Sequence, residues 1–126
     1  MLLRRALVAG LVLTALAIWP PRLADAHALV LESSPRGGEV LRTAPARIFL
    51  RFNSRIEQGL SGITVTGPEG RPIPLPVAGA PEGAPNELSA PLPTLPPGQY
   101  LVRWKVLSAD GHVTQGALRF TVAPGP

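Results

Sequence analysis

The fold of this chain is decided by the stretch YLVRWKVL, which runs from Tyr100 to Leu107. Apolar residues occupy every second position of it, beginning at Tyr100 and including Trp104, while Arg103 and Lys105 stand between them. Because alternate residues of an extended chain point to opposite sides, this pattern predicts a half-buried strand. Trp104 is expected to lie in the core between two sheets, since a large aromatic ring on the apolar side of a strand is most often buried there.

The same alternation extends outward from this strand in both directions along the chain. It recurs in the runs Arg47–Phe52 and Ala117–Val122, and more briefly at residues 28–32, 62–66 and 87–90. The separators are rich in Gly and Pro, and no stretch after residue 26 has the pattern of a long helix. Short strands at this spacing predict an all-β fold, an antiparallel immunoglobulin-like β-sandwich of about seven strands in Greek-key order. A small barrel is the alternative.

One segment departs from the regular pattern. Arg71–Pro91 contains six prolines, and proline has no N–H to donate to a strand ladder. The segment is therefore expected to be a sheet edge or a long surface loop.

The first 26 residues have the organisation of a secretory signal peptide. A basic pair, Arg4 and Arg5, precedes an apolar run of about 14 residues that ends at Trp19. The run is shorter than the roughly 20 residues of a membrane-spanning helix, and Ala24-Asp25-Ala26 fits the small-residue cleavage pattern. Cleavage after Ala26 would leave one domain, residues 27–126, without a membrane span; an uncleaved anchor helix is the alternative.

Charge and sulfur content exclude several classes of function. Residues 27–126 carry nine basic and seven acidic side chains, a net charge of about +2, and the cations are scattered. A charge this small and dispersed does not indicate a nucleic-acid-binding surface. The chain has no Cys, and its single Met is Met1, so the processed chain contains no sulfur. Thiolate metal sites and disulfides are therefore excluded.

Only two histidines are present, and one of them would become the first residue of the processed chain. His27 would then offer an α-amine and an imidazole from the same residue, which can chelate one metal ion as a histidine brace. This arrangement depends on cleavage after Ala26, because an additional residue in front of His27 would remove the amine from it.

The second histidine belongs to the motif Asp110-Gly111-His112, which directly follows the Tyr100–Leu107 run. Residues two apart in extended backbone project to the same side, so the Asp110 carboxylate and the His112 imidazole can converge on one ion. Asp-Gly is equally a common hairpin-turn dipeptide, so the tripeptide by itself is also compatible with a plain turn.

Together these groups form a set of three nitrogens and one oxygen, the donor mix that suits tetragonal Cu(II). The prediction is one Cu(II) ion per chain, with His27, Asp110 and His112 as metal ligands. Zinc is the weaker candidate, because these spacings do not specify a tetrahedral frame. Cu(I) is disfavoured, because it prefers sulfur ligands.

The processed chain resembles the periplasmic copper-binding CopC proteins along nearly its whole length. The resemblance is carried by the run from His27-Ala28 to Pro35 and by four further motifs: Ile48-x-Leu-x-Phe52, Gly98-x-Tyr100-x-Val-x-Trp104, Ser108-x-Asp110-Gly111-His112 and Gly116-x-x-x-Phe120. It implies a periplasmic carrier or buffer in copper resistance or supply, with Cu(II) held by His27, Asp110 and His112. A CopD-type inner-membrane copper transporter is the implied partner, and the chain is expected to be a monomer.

Two departures from the family pattern limit what the resemblance implies. Some relatives have a Met-rich loop for Cu(I), where this chain has the Met-free segment Arg71–Pro91, so exchange of Cu(I) between two sites is not expected. Some relatives also place a Glu near the copper after the Phe52 strand. Here position 54 is Ser54, and Glu57 is left out of the predicted site.

Two other classes of function remain as alternatives. Histidine-brace oxygenases also use an N-terminal His at copper, but the few aromatic residues fall on core-facing stripes and Asp110 would occupy the position that oxygen needs. A metal-free immunoglobulin-like interaction module would use neither histidine. No Ser/His/Asp triad is suggested by the sequence, so the chain is not expected to be an enzyme and no catalytic residue is predicted.

Overall fold

A computed structural model describes residues 28–76 and 83–125. These residues form eight strands and two single 3-10 turns, at Gln58–Leu60 and Pro68–Gly70. The strands are, in chain order, β1 (Val30–Ser34), β2 (Glu39–Leu41), β3 (Arg47–Phe52), β4 (Gly62–Thr66), β5 (Pro72–Ile73), β6 (Glu87–Pro91), β7 (Gly98–Leu107) and β8 (Val113–Val122).

The strands form two sheets that pack as a β-sandwich. The smaller sheet has the order β1-β3-β6, and the larger has the order β2-β8-β7-β4-β5. The β7–β8 hairpin is the longest element, with ten antiparallel pairs that run from Gly98 opposite Val122 to Leu107 opposite Val113. Its connection, residues 108–112, contains the Asp-Gly-His motif and therefore projects from one end of the larger sheet.

The core consists of the alternating apolar residues that the sequence analysis placed on one side of each strand. On β3, Ile48, Leu50 and Phe52 are fully buried, and the rings of Tyr100 and Phe120 stack with centroids 5.3 Å apart. The Tyr100 hydroxyl donates to the carbonyl oxygen of Pro96, four residues earlier. Burial raises the pKa of this hydroxyl, so it remains a donor at neutral pH.

Trp104 lies on the inward side of β7 and packs against the core, although it is only partly buried. Its partner across the hairpin is Gly116. A Cβ built at Gly116 would overlap the indole ring, so this position on β8 has to be glycine for the ring to lie flat against the strand. Trp104 therefore belongs to the core, as expected, but it lies at the edge of the core.

The predicted β-sandwich is confirmed, and β3 and β4 have the predicted bounds. Two features were not anticipated. Strands β2 and β5 bring the number described to eight, and β2 pairs with β8 in parallel, whereas every other strand pair is antiparallel. Periodicity cannot reveal a three-residue strand, because one and a half repeats do not establish an alternation.

The proline-rich segment is a sheet edge at both of its described ends. Strand β5 is the last strand of the larger sheet, and β6 is an outer strand of the smaller one. Residues 71–91 therefore lead from one sheet to the other, and Pro72 and Pro91 occupy edge strands, as the missing proline N–H requires.

Candidate metal centre

The loop between β7 and β8 is a tight turn closed by its own backbone. The N–H of Ser108 donates to the carbonyl of His112 at 2.8 Å, and the N–H of Gly111 donates to the carbonyl of Ser108 at 2.9 Å. Gly111 has φ of +90°, a conformation that residues with a side chain rarely adopt. The turn chemistry of Asp-Gly is thus present, and it orients the residues on either side of the glycine.

Asp110 and His112 converge across this turn. The His112 Nδ1 lies 3.3 Å from Asp110 Oδ1, and the same oxygen accepts from the His112 backbone N–H at 3.3 Å. Both side chains are solvent-accessible, with 52% of Asp110 and 60% of His112 exposed. The hydrogen bond from the His112 N–H lowers the pKa of the Asp110 carboxyl, with smaller contributions from the His112 side chain. The carboxylate is therefore an ionised oxygen donor at neutral pH.

The base of the loop is held by the chain segment that follows β3. The N–H of Ala109 donates to the carbonyl of Arg55 at 3.1 Å, and the N–H of Glu57 donates to the carbonyl of Leu107 at 2.8 Å. Between these bonds Ile56 forms an isolated bridge with Ser108, which is buried at 3% exposure. Residues 53–57, called here the anchor segment, thus restrict where the Asp-Gly-His motif can lie.

The same anchor segment holds the first described residues of the chain. The N–H of Leu29 donates to Asn53 Oδ1, and the N–H of Asn53 donates to the Leu29 carbonyl, each at 2.9 Å. Ala28, one residue earlier, is 2% exposed and belongs to the core. The start of the described chain is therefore packed in place.

The anchor segment contacts both the start of the described chain and the loop of the Asp-Gly-His motif. Asn53 binds Leu29, and Arg55 binds Ala109 beside the Asp-Gly-His motif; a single position separates Asn53 from Arg55. His27 itself, like the predicted signal peptide 1–26, lies outside the described residues. Within residues 28–76 and 83–125 no group of three His, Asp or Glu side chains could hold a metal ion.

Sequence reasoning missed the contribution of Asn53. Nothing in the alternation pattern distinguishes it from an ordinary residue at a strand end, and only its pairing with Leu29, 24 residues earlier, shows what it does. Glu57, which was left out of the predicted site, is exposed and contacts Leu107 through its backbone N–H.

The CopC domain family matches residues 30–123 of this chain. Protein YobA of Escherichia coli K12 is 38% identical over 98 residues, which cover 77% of this chain and 79% of the relative. Copper resistance protein C of Escherichia coli is 33% identical over 106 residues, covering 79% of this chain and 83% of the relative.

A solved structure of CopC from Methylosinus trichosporium OB3b has the same fold. The two superpose with a TM-score of 0.71 at 33% identity, over 79% of this chain and 97% of the other. Among residues 28–76 and 83–125, no helix is long and apolar enough to cross a membrane.

Proposed function

This chain belongs to the CopC family of copper resistance proteins, and on that premise we propose that it is a periplasmic Cu(II) carrier or buffer that holds one ion without catalysis. The proposed ligands are the α-amine and imidazole of His27, the imidazole of His112 and the carboxylate of Asp110. Processing after Ala26 is part of this proposal, because it creates the amine of His27.

The observation that carries the proposal is the shared anchor segment. Asn53 holds Leu29 through two hydrogen bonds, and Arg55 holds the loop of Asp110 and His112. Ala28, which directly follows His27 in the chain, is buried in the core. The packing of Ala28 and Leu29 therefore supports an approach of His27 to the loop.

The chemistry of these donors fits copper in its oxidised state. One amine, two imidazoles and one carboxylate are ligands of the type that tetragonal Cu(II) prefers, and Cu(II) has the highest affinity of the common divalent ions for nitrogen and oxygen sites. Residues 27–126 contain neither Cys nor Met, so no soft ligand favours Cu(I).

Exposure of the loop suits transfer of the ion. Asp110 and His112 are both more than half exposed, so an incoming ligand from another protein can reach a metal held there without unfolding the loop. We propose a copper transporter of the inner membrane, of the CopD type, as the protein that exchanges copper with this chain, which we expect to be a monomer.

A comparison of three chains tests the proposal. The first begins at His27, the second at Ala26 and the third at Ala28, so that the second retains the imidazole but displaces the amine, and the third lacks His27. Competitive Cu(II) titration and electron paramagnetic resonance are expected to give tight one-to-one binding with a nitrogen-rich tetragonal spectrum only for the first chain. Equal binding by all three would overturn the brace. If none of the three chains binds Cu(II) tightly, the remaining interpretation is a metal-free interaction module.

A further inference from the structure

The outer face of the larger sheet carries cations and no acid. Strand β7 directs Arg103 and Lys105 outward, and β8 directs Arg119 outward, all three of them exposed. Arg103 and Lys105 are two residues apart, about 7 Å along the strand. Arg119 faces Leu101 and is therefore the diagonal neighbour of Arg103, at about 7–8 Å. These three residues are called here the basic face.

Uncharged residues surround the basic face. Arg103 lies opposite Ala117 on β8 and Thr64 on β4, and Lys105 lies opposite Gln115 and Gly62. No Asp or Glu occupies β4, β5, β7 or β8, and Glu39 of β2 pairs with the inward-facing Phe120. None of the three cations belongs to an ion pair among the described residues.

The outer face of the smaller sheet also carries arginines, but these have side-chain partners. Arg51 Nη2 lies 2.5 Å from Glu32 Oε2, and Arg47 donates to the Ser89 hydroxyl at 3.1 Å. Arg51 also faces Glu87 across the sheet. The excess of positive charge is thus concentrated on the larger sheet, and it does not follow from the net charge of the chain alone.

The basic face leads to the candidate metal centre. The β7–β8 ladder ends at the pair Leu107 and Val113, directly before and after the loop that contains Asp110 and His112. Val113 is 51% exposed and points to the same outer side as Lys105 and Arg103, since residues paired across strands share a side. A partner seated on this face would therefore have an apolar contact beside the loop.

We propose that the basic face docks an acidic surface of a partner protein and so brings that partner next to the metal loop. This inference rests on the proposed function, since it identifies the chemistry of the protein that exchanges copper with this chain. Anionic lipid is the less suitable occupant, because membrane-binding clusters usually contain four to eight Lys or Arg. Complementary charge mainly accelerates association and is screened by salt, which suits a transient contact for ion transfer.

The test uses the metal-free chain, so that its outcome does not depend on copper binding. The ¹⁵N-labelled protein beginning at His27 is titrated by NMR with a synthetic peptide of alternating Glu and Ser, and separately with phosphatidylglycerol vesicles. The face variant combines Arg103→Gln, Lys105→Gln and Arg119→Gln. The matched control combines Arg36→Gln, Arg42→Gln and Arg71→Gln, which removes the same charge from other exposed positions.

We expect the peptide to shift the amide signals of β7 and β8 around the three cations, and its affinity to fall about tenfold in the face variant and less than twofold in the control. Equal losses in both variants, or shifts elsewhere, would overturn the proposal, because net charge alone would then explain binding. Stronger binding to the vesicles than to the peptide would overturn it in favour of lipid. Copper titration should give the same affinity for the unaltered chain and for both variants. Failure of the unaltered chain to bind Cu(II) tightly would count against the copper proposal and not against docking.

Discussion

Asn53 binds both hydrogen-bonding groups of the Leu29 backbone. The Asn53 Oδ1 accepts from the Leu29 N–H, and the Asn53 N–H donates to the Leu29 carbonyl, each at 2.9 Å. This pair joins the start of the described chain to the segment that also supports the Asp-Gly-His loop through Arg55. Leu29 and the Asp-Gly-His loop are thus held by neighbouring positions of a single stretch of backbone, and their relative placement depends on it.

We expect Asn53→Ala to weaken Cu(II) binding about tenfold, because the N-terminal residues lose their side-chain restraint, while unfolding free energy falls by only about 1 kcal/mol. Asn53→Asp retains an acceptor oxygen and should restore most of the affinity. The matched control is Asn86→Ala, which removes a side-chain hydrogen bond to the carbonyl of Phe52, the residue directly before the anchor segment. Competitive titration and urea unfolding give the two quantities. A similar loss of affinity in the control would show a general stability effect.

Substitution of the proposed ligands should give a ranked series. His27→Ala in the chain that begins at residue 27 keeps the amine but loses an imidazole, and it should weaken Cu(II) binding more than Asp110→Ala, because nitrogen donors dominate Cu(II) affinity. Neither change should affect folding, since Asp110 is exposed. Isothermal calorimetry checks the order, and equal losses would contradict the ranking.

Acidification should release copper through the nitrogen donors and not through Asp110. The hydrogen bond from the His112 N–H holds the pKa of the Asp110 carboxyl below its ordinary value, so this group stays charged as the pH falls to 5 or below. Because the pKa of Asp110 is lower in the folded protein than in the unfolded chain, ionised Asp110 stabilises the fold at pH values above the unfolded-state pKa. This stabilisation is lost as the pH falls through the folded-state pKa. Asp110→Asn should therefore weaken Cu(II) binding by the same factor at every pH from about 8 to 5, because the carboxylate stays ionised throughout this range. A ratio of variant to wild-type Kd that changes with pH would contradict this assignment.

Gly116→Ala should destabilise the fold by about 1–3 kcal/mol, because the added methyl would overlap the Trp104 ring across the hairpin. Gly62→Ala is a suitable control, since it is also a β-strand glycine of the larger sheet and a Cβ there would meet nothing within 4 Å. Thermal unfolding should separate the two variants clearly. A double change, Gly116→Ala with Trp104→Leu, should recover part of the loss if the clash is its cause.

The strands with full alternation could be predicted from the sequence because each buries one side. Ile48, Leu50 and Phe52 are fully buried where the pattern placed them, and β3 begins and ends at the predicted residues. The start of β8 was placed four residues too late, because Val113 to Gly116 contains only one large apolar residue and that residue faces solvent. Strand β2 and its parallel pairing with β8 were not predictable, since pairing partners are distant in the chain.

The sequence by itself determined the chemistry that this protein can offer: an Asp-Gly-His turn, an expected N-terminal histidine, no sulfur after residue 26 and a core made of alternating strands. These properties are local, because they depend on residue type and on spacings of one or two positions. Only the tertiary structure decided which parts of the chain meet. Asn53 contacts Leu29 across 24 positions, Arg55 holds Ala109, and three scattered cations gather on one sheet face. Such contacts arise from strand register and from the burial of the two sheets against each other, which no short stretch of sequence encodes on its own.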